Sequence, residues 1–505
     1  MTTTRTLSLT LLSTLLLSSA TARAQEPVDR AMIAKIRAEG LERSQVGPMF
    51  DTLANVFGPR LTATPAYLAS ANWARGKLAS WRLDKPRLEA WPFGRGWTLE
   101  RQTIEMIAPR YMPLIGYAEA WSPSTKGELV GTPILTAGKS VEELQQMRAS
   151  LAGAIVMSQP IQASFIREDR VQPADPNRDN TVPLVTGAPA NPAATGRGGR
   201  GGGRAGGGGA PTAATALNDA GPGVILKQNR GEHGTLFVLG ATGRGSGAPS
   251  MVLSAEHYNL VARLLQHGAP VRLRVNIEAK YHTADTNGYN VIAEIPGTDP
   301  ALRDQVVMLG GHLDSWHSAT GATDNADGSA VVLEAARILQ AVGARPRRTI
   351  RFALWGGEEQ GLIGSARWVE ANLAGDANVA ARNKLSMYVN IDPGKGPIYG
   401  FYMQGNEATK PIFDAWLEPF RDIGARRNVP ESIGSTDHLS FTRAGVPGFN
   451  PIQDYVGYDV REHHTNMDTF ERVKIDDLKQ NAIILASFLY HAAMRDAMMP
   501  RAPVP

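Results

Sequence analysis

Residues 306–316 read VVMLGGHLDSW, residues 349–361 read TIRFALWGGEEQG, and residues 387–394 read MYVNIDPG. Each begins as a short apolar, β-prone run and stops at a polar or glycine-rich turn. NVIAEIPG (290–297) and the stretch before Pro451 have the same character. Between them, GSAVVLEAARILQAVG (328–343) and SARWVEANLA (365–374) carry apolar residues at helical spacing. Strand–helix alternation predicts an α/β fold, with a mostly parallel central sheet and helices on both faces. Ligands of such sheets collect at the carboxyl ends of the strands. The chemistry-bearing residues obey that rule: His312 follows VVMLGG, Glu358 follows TIRFALWGG, and Asp392 ends MYVNI.

Asp324 in GATDNADGSA (321–330), Glu359, and His464 in EHHTNMDT (462–469) extend the set. Imidazole and carboxylate ligands suit zinc. His312, Asp324, one carboxylate of the Glu358–Glu359 pair, Asp392 and His464, with one carboxylate bridging, are enough for two metals about 3.5–4 Å apart. Glu358 and Glu359 are neighbours at a strand end, and adjacent side chains of extended backbone point to opposite sides. One can bind metal while the other faces the reaction space. Taken singly, each motif has a plainer reading: a turn held by Asp314, a helix cap by Asp324, or a solvated acidic turn at the Glu pair.

Together, and in this order, GGHLDSW, RRTIRFALWGGEEQG, AGVPG and HHTNMDT resemble metallopeptidase family 28. These are co-catalytic di-zinc exopeptidases, and the similarity is to the branch of carboxypeptidase Q and the bacterial secreted aminopeptidases. The resemblance implies two zinc ions that activate a water. It also implies Asp324 as the bridging ligand with a cis peptide after it, and His312, Asp392, Glu359 and His464 as the remaining ligands. By the same resemblance Glu358 is the general base and Asp314 orients the His312 ring. His463 competes with His464 for the last ligand position, and Asp468 is a candidate support for His464. STDHLSF (435–441) is similar to a family segment lining the substrate pocket, which makes Asp437 a candidate substrate-binding group; a loop held by its own Asp and Ser is the plainer reading. His317, His438 and Tyr455 are further candidates for the cavity. The small residue before the Glu pair is Gly357, a substitution expected to be without consequence.

The expected activity is hydrolysis of a peptide bond near a free terminus, as an aminopeptidase or dipeptidase. The alternatives are a carboxypeptidase acting on small peptides and a glutaminyl cyclase-like acyl transferase, which uses one zinc. A non-enzymatic relative would have lost ligands, and none is missing here.

The chain has 505 residues, of which 43% are hydrophobic and 20% charged, a globular composition with ample material for a large core. Arg5, the apolar run Leu7–Leu17 and Ala22-Arg23-Ala24 predict a cleaved export leader over residues 1–24. The expected destination is the periplasm or medium. No later window is apolar enough for a membrane span. Cysteine is absent, which excludes thiolate metal sites and Cys nucleophiles. The formal charge of +4 is concentrated locally, with two arginines in the leader and Arg197, Arg200 and Arg204 in one glycine tract. A nucleic-acid partner is therefore not expected; the expected partner is a peptide, and a homodimer is compatible with the sequence.

Residues 28–83 read as helical. GELVGTPILT, LAGAIVMSQ, GVILKQ and TLFVLG are short strands between Gly and Pro turns. They resemble the protease-associated domain inserted in some family members. The predicted division is a leader (1–24), the first part of the catalytic domain (25–119), the inserted β-rich unit (120–280), the rest of the catalytic domain (281–495) and a tail (496–505). Within the insertion, GRGGRGGGRAGGGG (196–209) has too little apolar surface to order itself and reads as a loop.

Overall fold

The structure, a computed structural model, describes residues 26–171, 173, 212–241 and 247–502. The expected leader and the glycine tract 196–209 lie outside the described residues. Among the described residues no helix is long and apolar enough to cross a membrane.

The main sheet has seven strands in the order Asp84–Pro92, Asn287–Ile295, Thr349–Trp355, Val306–His312, Leu385–Asn390, Gly448–Asp454 and Lys395–Tyr402. Val306–His312 runs parallel to both of its neighbours, and Leu385–Asn390 runs parallel to Gly448–Asp454. The three outer pairings are antiparallel. The sheet is thus mixed rather than mostly parallel. Parallel neighbours need a crossover connection, and the helix Asp327–Ala341 supplies it between Val306–His312 and Thr349–Trp355.

Both faces of the central strands are apolar, as a sheet covered on two sides requires. Val307, Leu309, Ile350, Phe352 and Leu354 point into the larger core. There they meet Asp327–Ala341, Ile475–Met494 and the N-terminal helix Arg30–Glu42. The alternate residues Met308, Ala353 and Trp355 point into a second core with Trp368, Tyr388 and Phe441, under Ile363–Asn372 and His438–Arg443. Residues 496–502 are held against the catalytic unit, with Met499 bonded to Ser386 Oγ and Asn406 to the Pro500 carbonyl.

The chain leaves this sheet at Pro92 and returns at Asn287, which pair with each other. The excursion builds two further sheets. One is antiparallel and joins Met112–Pro113, Gly96–Ala108, Arg272–His282 and Leu129–Gly131. The other joins Gly116–Ala118, Ser250–Leu253, Val224–Lys227, Ile155–Met157 and Ile134–Leu135, and is parallel except for its first pair. They enclose a core of their own around Met106, Leu226, Met251, Tyr258 and Val275. The boundary expected at residue 120 therefore falls inside this unit. Gly96–Ala108 pairs along nearly its whole length with Arg272–His282, a partner far away in sequence that local patterning does not reveal.

Candidate functional site

The central parallel strands all end at one place. His312 closes the first of them, Glu358 and Glu359 occupy the turn after Thr349–Trp355, Asp392 follows Leu385–Asn390, and Tyr455 follows Gly448–Asp454. A turn at Gly357 aims the Glu pair. Its φ is +68°, and a Cβ there would stand 2.6 Å from the Trp91 ring. The glycine is thus required on two counts.

The five expected ligands converge. His312 Nε2 lies 3.1 Å from Asp324 Oδ1 and 3.8 Å from Asp392 Oδ2. His464 Nε2 lies 3.3 Å from Asp324 Oδ2 and 2.9 Å from Glu359 Oε2. Asp324 therefore presents one oxygen to each histidine, and the peptide after it is cis. The competing imidazole is farther off, with His463 Nε2 3.9 Å from Asp324 Oδ2. Its ring stacks on Tyr458 and lies against that of His464. His312 Nε2, Asp324 Oδ2 and Glu359 Oε1 are buried without a hydrogen-bond partner. Orphaned atoms of this kind cost about 1–3 kcal/mol each when left unmatched, and imidazole with carboxylates is a donor set that fits a divalent cation.

Asp314 acts differently from the expected orienting contact. Its backbone carbonyl, not its carboxylate, meets His312 Nδ1 at 2.9 Å, while the nearer carboxylate oxygen is 3.7 Å away. The carboxylate instead accepts from the backbone N–H groups of Glu358 and Glu359 at 3.2 and 3.4 Å, and from the Thr62 hydroxyl at 3.1 Å. It fixes the turn that carries the Glu pair. Glu358 is buried, yet its side chain makes no hydrogen bond or ion pair among the described residues. Burial pushes its carboxyl well up; His312 opposes this, and Asp392, Asp437 and Glu359 add to it.

Asp437 is fully buried, neither of its oxygens has a hydrogen-bond partner, and burial raises its carboxyl to about 7. His438 turns away to the Ile433 carbonyl at 3.1 Å. Tyr455 spends its hydroxyl on Tyr402 at 3.2 Å. His317 bonds the Ala118 carbonyl at 2.7 Å between Trp97 and Tyr117, so it joins the catalytic unit to the insertion instead of facing the ligands.

Several residues escaped the sequence reading. Tyr458 is buried with an unpaired hydroxyl that feels Asp324 and Asp392. Arg60 is wholly buried, and its guanidinium donates to the carbonyls of Leu53, Gly58, Leu313, Thr320 and Gly321, which ties the loop between His312 and Asp324 to the N-terminal segment. The only sequence signal was Gly58-Pro59-Arg60-Leu61 interrupting two helical stretches. Arg170 pairs with Asp459 across 289 residues, a relationship that no local pattern carries.

Residues 290–489 match the profile of Peptidase family M28. The chain carries an M28 peptidase domain. Human carboxypeptidase Q is 28% identical over 253 residues, which are 50% of this chain and 51% of that protein. The leupeptin-inactivating enzyme 1 of Streptomyces exfoliatus is 37% identical over 168 residues, covering 33% of this chain and 36% of that one. The chain thus spans about half the length of the carboxypeptidase Q relatives it matches. Among solved structures, the peptidase M28 precursor of Shewanella amazonensis SB2B has a TM-score of 0.70 at 24% identity, over 94% of this chain and 99% of that one. A zinc aminopeptidase of Bacillus subtilis has a TM-score of 0.59 at 18% identity, over 89% and 95%. These two likenesses concern the fold, and they extend over the inserted unit as well as the M28 domain.

Proposed function

We propose that this M28 peptidase is a zinc-dependent exopeptidase that hydrolyses peptide bonds near a free terminus, as an aminopeptidase or dipeptidase. The observation that carries the reading is the pair of imidazoles facing the two oxygens of Asp324, with buried ligand atoms left unpartnered. Atoms that each sit about 2.0–2.2 Å from a tetrahedral zinc stand roughly 3.3–3.6 Å apart. The observed separations of 2.9–3.8 Å bracket that range. His312, Asp324 and Asp392 would hold one zinc, and Asp324, Glu359 and His464 the second. When bound, zinc lowers the pKa of water toward about 7 and polarises a carbonyl oxygen.

The chain's own residues supply the proton traffic. Glu358 is the general base: its carboxyl is free, while Glu359 beside it is turned to the ligands. A base already bonded to metal cannot take a proton, so the division of labour between neighbours is a chemical requirement. Glu358 accepts a proton from the attacking water and returns it to the leaving amine. A carboxyl raised by burial holds that proton more firmly than an exposed one would, which suits the second half of the cycle. Asp314 keeps Glu358 aimed through the backbone of the turn. Asp437 is a substrate-binding group, since its unpaired oxygens would bond donors of the peptide.

The inserted unit is read as protease-associated-like, and the leader as an export signal that N-terminal mass spectrometry of fractionated cells would test. Relatives named for carboxypeptidase and for aminopeptidase activity both match this chain. The deciving experiment is therefore a panel of aminoacyl-anilides, dipeptides and N-blocked peptides, with and without chelator. Chelator-sensitive cleavage of substrates with a free amino terminus is expected. Cleavage restricted to blocked peptides with a free carboxyl terminus would make the protein a carboxypeptidase, and cyclisation without hydrolysis would make it an acyl transferase.

A further inference from the structure

The loop that carries His464 belongs to the catalytic unit in sequence, but the insertion holds it. Among the described residues, and apart from bonds to the flanking Tyr455 and Asp468, the hydrogen bonds that tie the backbone of residues 457–466 to the rest of the molecule run to Asp169, Leu236 and Val238. Asp169 accepts from Gly457 N at 2.7 Å and from Val460 N at 3.1 Å. Asn466 N donates to the Leu236 carbonyl at 3.1 Å, and Val238 N donates to the carbonyl of His464 itself at 3.0 Å. Arg170 adds a fork. Its Nε and a terminal nitrogen meet the two oxygens of Asp459 at 2.8 and 2.5 Å, and its guanidinium lies 5.0 and 5.4 Å from the ring centres of Tyr455 and Tyr458. Asp459 is 1% exposed, so the fork is screened from water.

The backbone at His464 makes these contacts consequential. Its φ is +62°, a left-handed conformation that L residues avoid and keep only where their surroundings impose it. The Val238 bond to the His464 carbonyl is such an imposition. Tyr458, held beneath Arg170, stacks on His463, which in turn lies against the His464 ring. The ligand is thereby held on one side by Val238 of the insertion and on the other by His463 and Tyr458, with Arg170 of the insertion behind them.

We propose that Arg170, with Asp169, is a positioning residue for the metal held by Asp324, Glu359 and His464. The insertion thus completes one half of the centre and leaves the other half, His312 and Asp392, to the catalytic sheet alone. This rests on the two-zinc reading above. Residues that orient a metal ligand typically contribute about 10–100-fold to affinity. Loosening the clamp should therefore lower zinc affinity at one position and spare the other.

The test is zinc content and affinity of wild type, Arg170→Gln, Arg170→Lys and Asp169→Ala, measured by elemental analysis after dialysis against a chelator-buffered zinc series, alongside KM and kcat on a dipeptide. The wild type is expected to bind two zinc per chain. Arg170→Gln and Asp169→Ala should retain one at unchanged affinity and bind the second about 10–100-fold more weakly, with Arg170→Lys between them and the wild type. The retained zinc serves as the internal check that the variants are folded. Two zinc at wild-type affinity in Arg170→Gln and Asp169→Ala would overturn the inference, as would equal weakening at both positions. A wild type that binds no zinc or only one would instead count against the two-zinc reading on which it stands.

Discussion

The carboxylate of Asp468 stands behind Asp324 and holds it by the backbone. One oxygen accepts from Thr323 N at 2.7 Å and from the Thr323 hydroxyl at 2.8 Å, and the other accepts from Asp324 N at 3.2 Å. Two acids are thus placed back to back. Asp468 consumes the local N–H donors, and Asp324 is left with both oxygens facing histidines.

Asp468→Asn should weaken zinc binding about 10–100-fold, because the amide nitrogen of Asn would face an N–H group where an acceptor is needed. Competition against a chromophoric chelator measures this. Unchanged affinity would show that Asp324 orients itself.

The Glu pair separates base from ligand. Glu358→Gln should keep zinc and lose about 10²–10⁴-fold in kcat, the usual worth of a positioned base. Glu359→Ala should lose zinc first. Elemental analysis beside steady-state kinetics distinguishes them, and equal zinc loss in both variants would void the assignment.

Arg60→Met removes a buried guanidinium and strands its carbonyl partners. Each buried unsatisfied group costs about 1–3 kcal/mol, so the variant should lose at least about 3 kcal/mol of stability in denaturant titration. A loss below about 1 kcal/mol would mean that the loops do not depend on it.

Asp437 predicts a pH effect in zinc-free protein. Its folded carboxyl sits at about 7, above the ordinary 3.8 expected when unfolded. The native state therefore holds a proton that the unfolded state releases, and stability from this group falls as pH rises from about 4 to 7. The full effect is on the order of 4 kcal/mol at about 1.4 kcal/mol per unit. Asp437→Asn should flatten that part of the stability–pH curve; identical slopes for the two proteins would refute the shift.

Much of the site was legible because its ligands lie at strand ends, where a switch from apolar run to polar turn marks the position. The strand-end rule marks His312, Glu358 and Asp392 in the sequence. Side-chain direction was not legible. Asp314 lies two residues from His312 in sequence, but its carboxylate faces the Glu turn, which depends on a strand 44 residues away. Asp468 likewise supports Asp324 and not the neighbouring His464. The sheet is mixed and not mostly parallel, a difference hidden from the sequence because apolar content reports burial and not strand direction. The insertion's edge was set too late because Gly96–Ala108 finds its partner at Arg272–His282. Arg170 and Val238, which hold the His464 loop, act across the two units and leave no trace in local sequence.

The most direct test of the whole account is zinc titration of chelator-stripped protein, with metal content verified at each point and peptide hydrolysis followed throughout. The account predicts no turnover without zinc, and activity that reaches its maximum at two equivalents per chain. Full turnover by protein verified to be metal-free would contradict it.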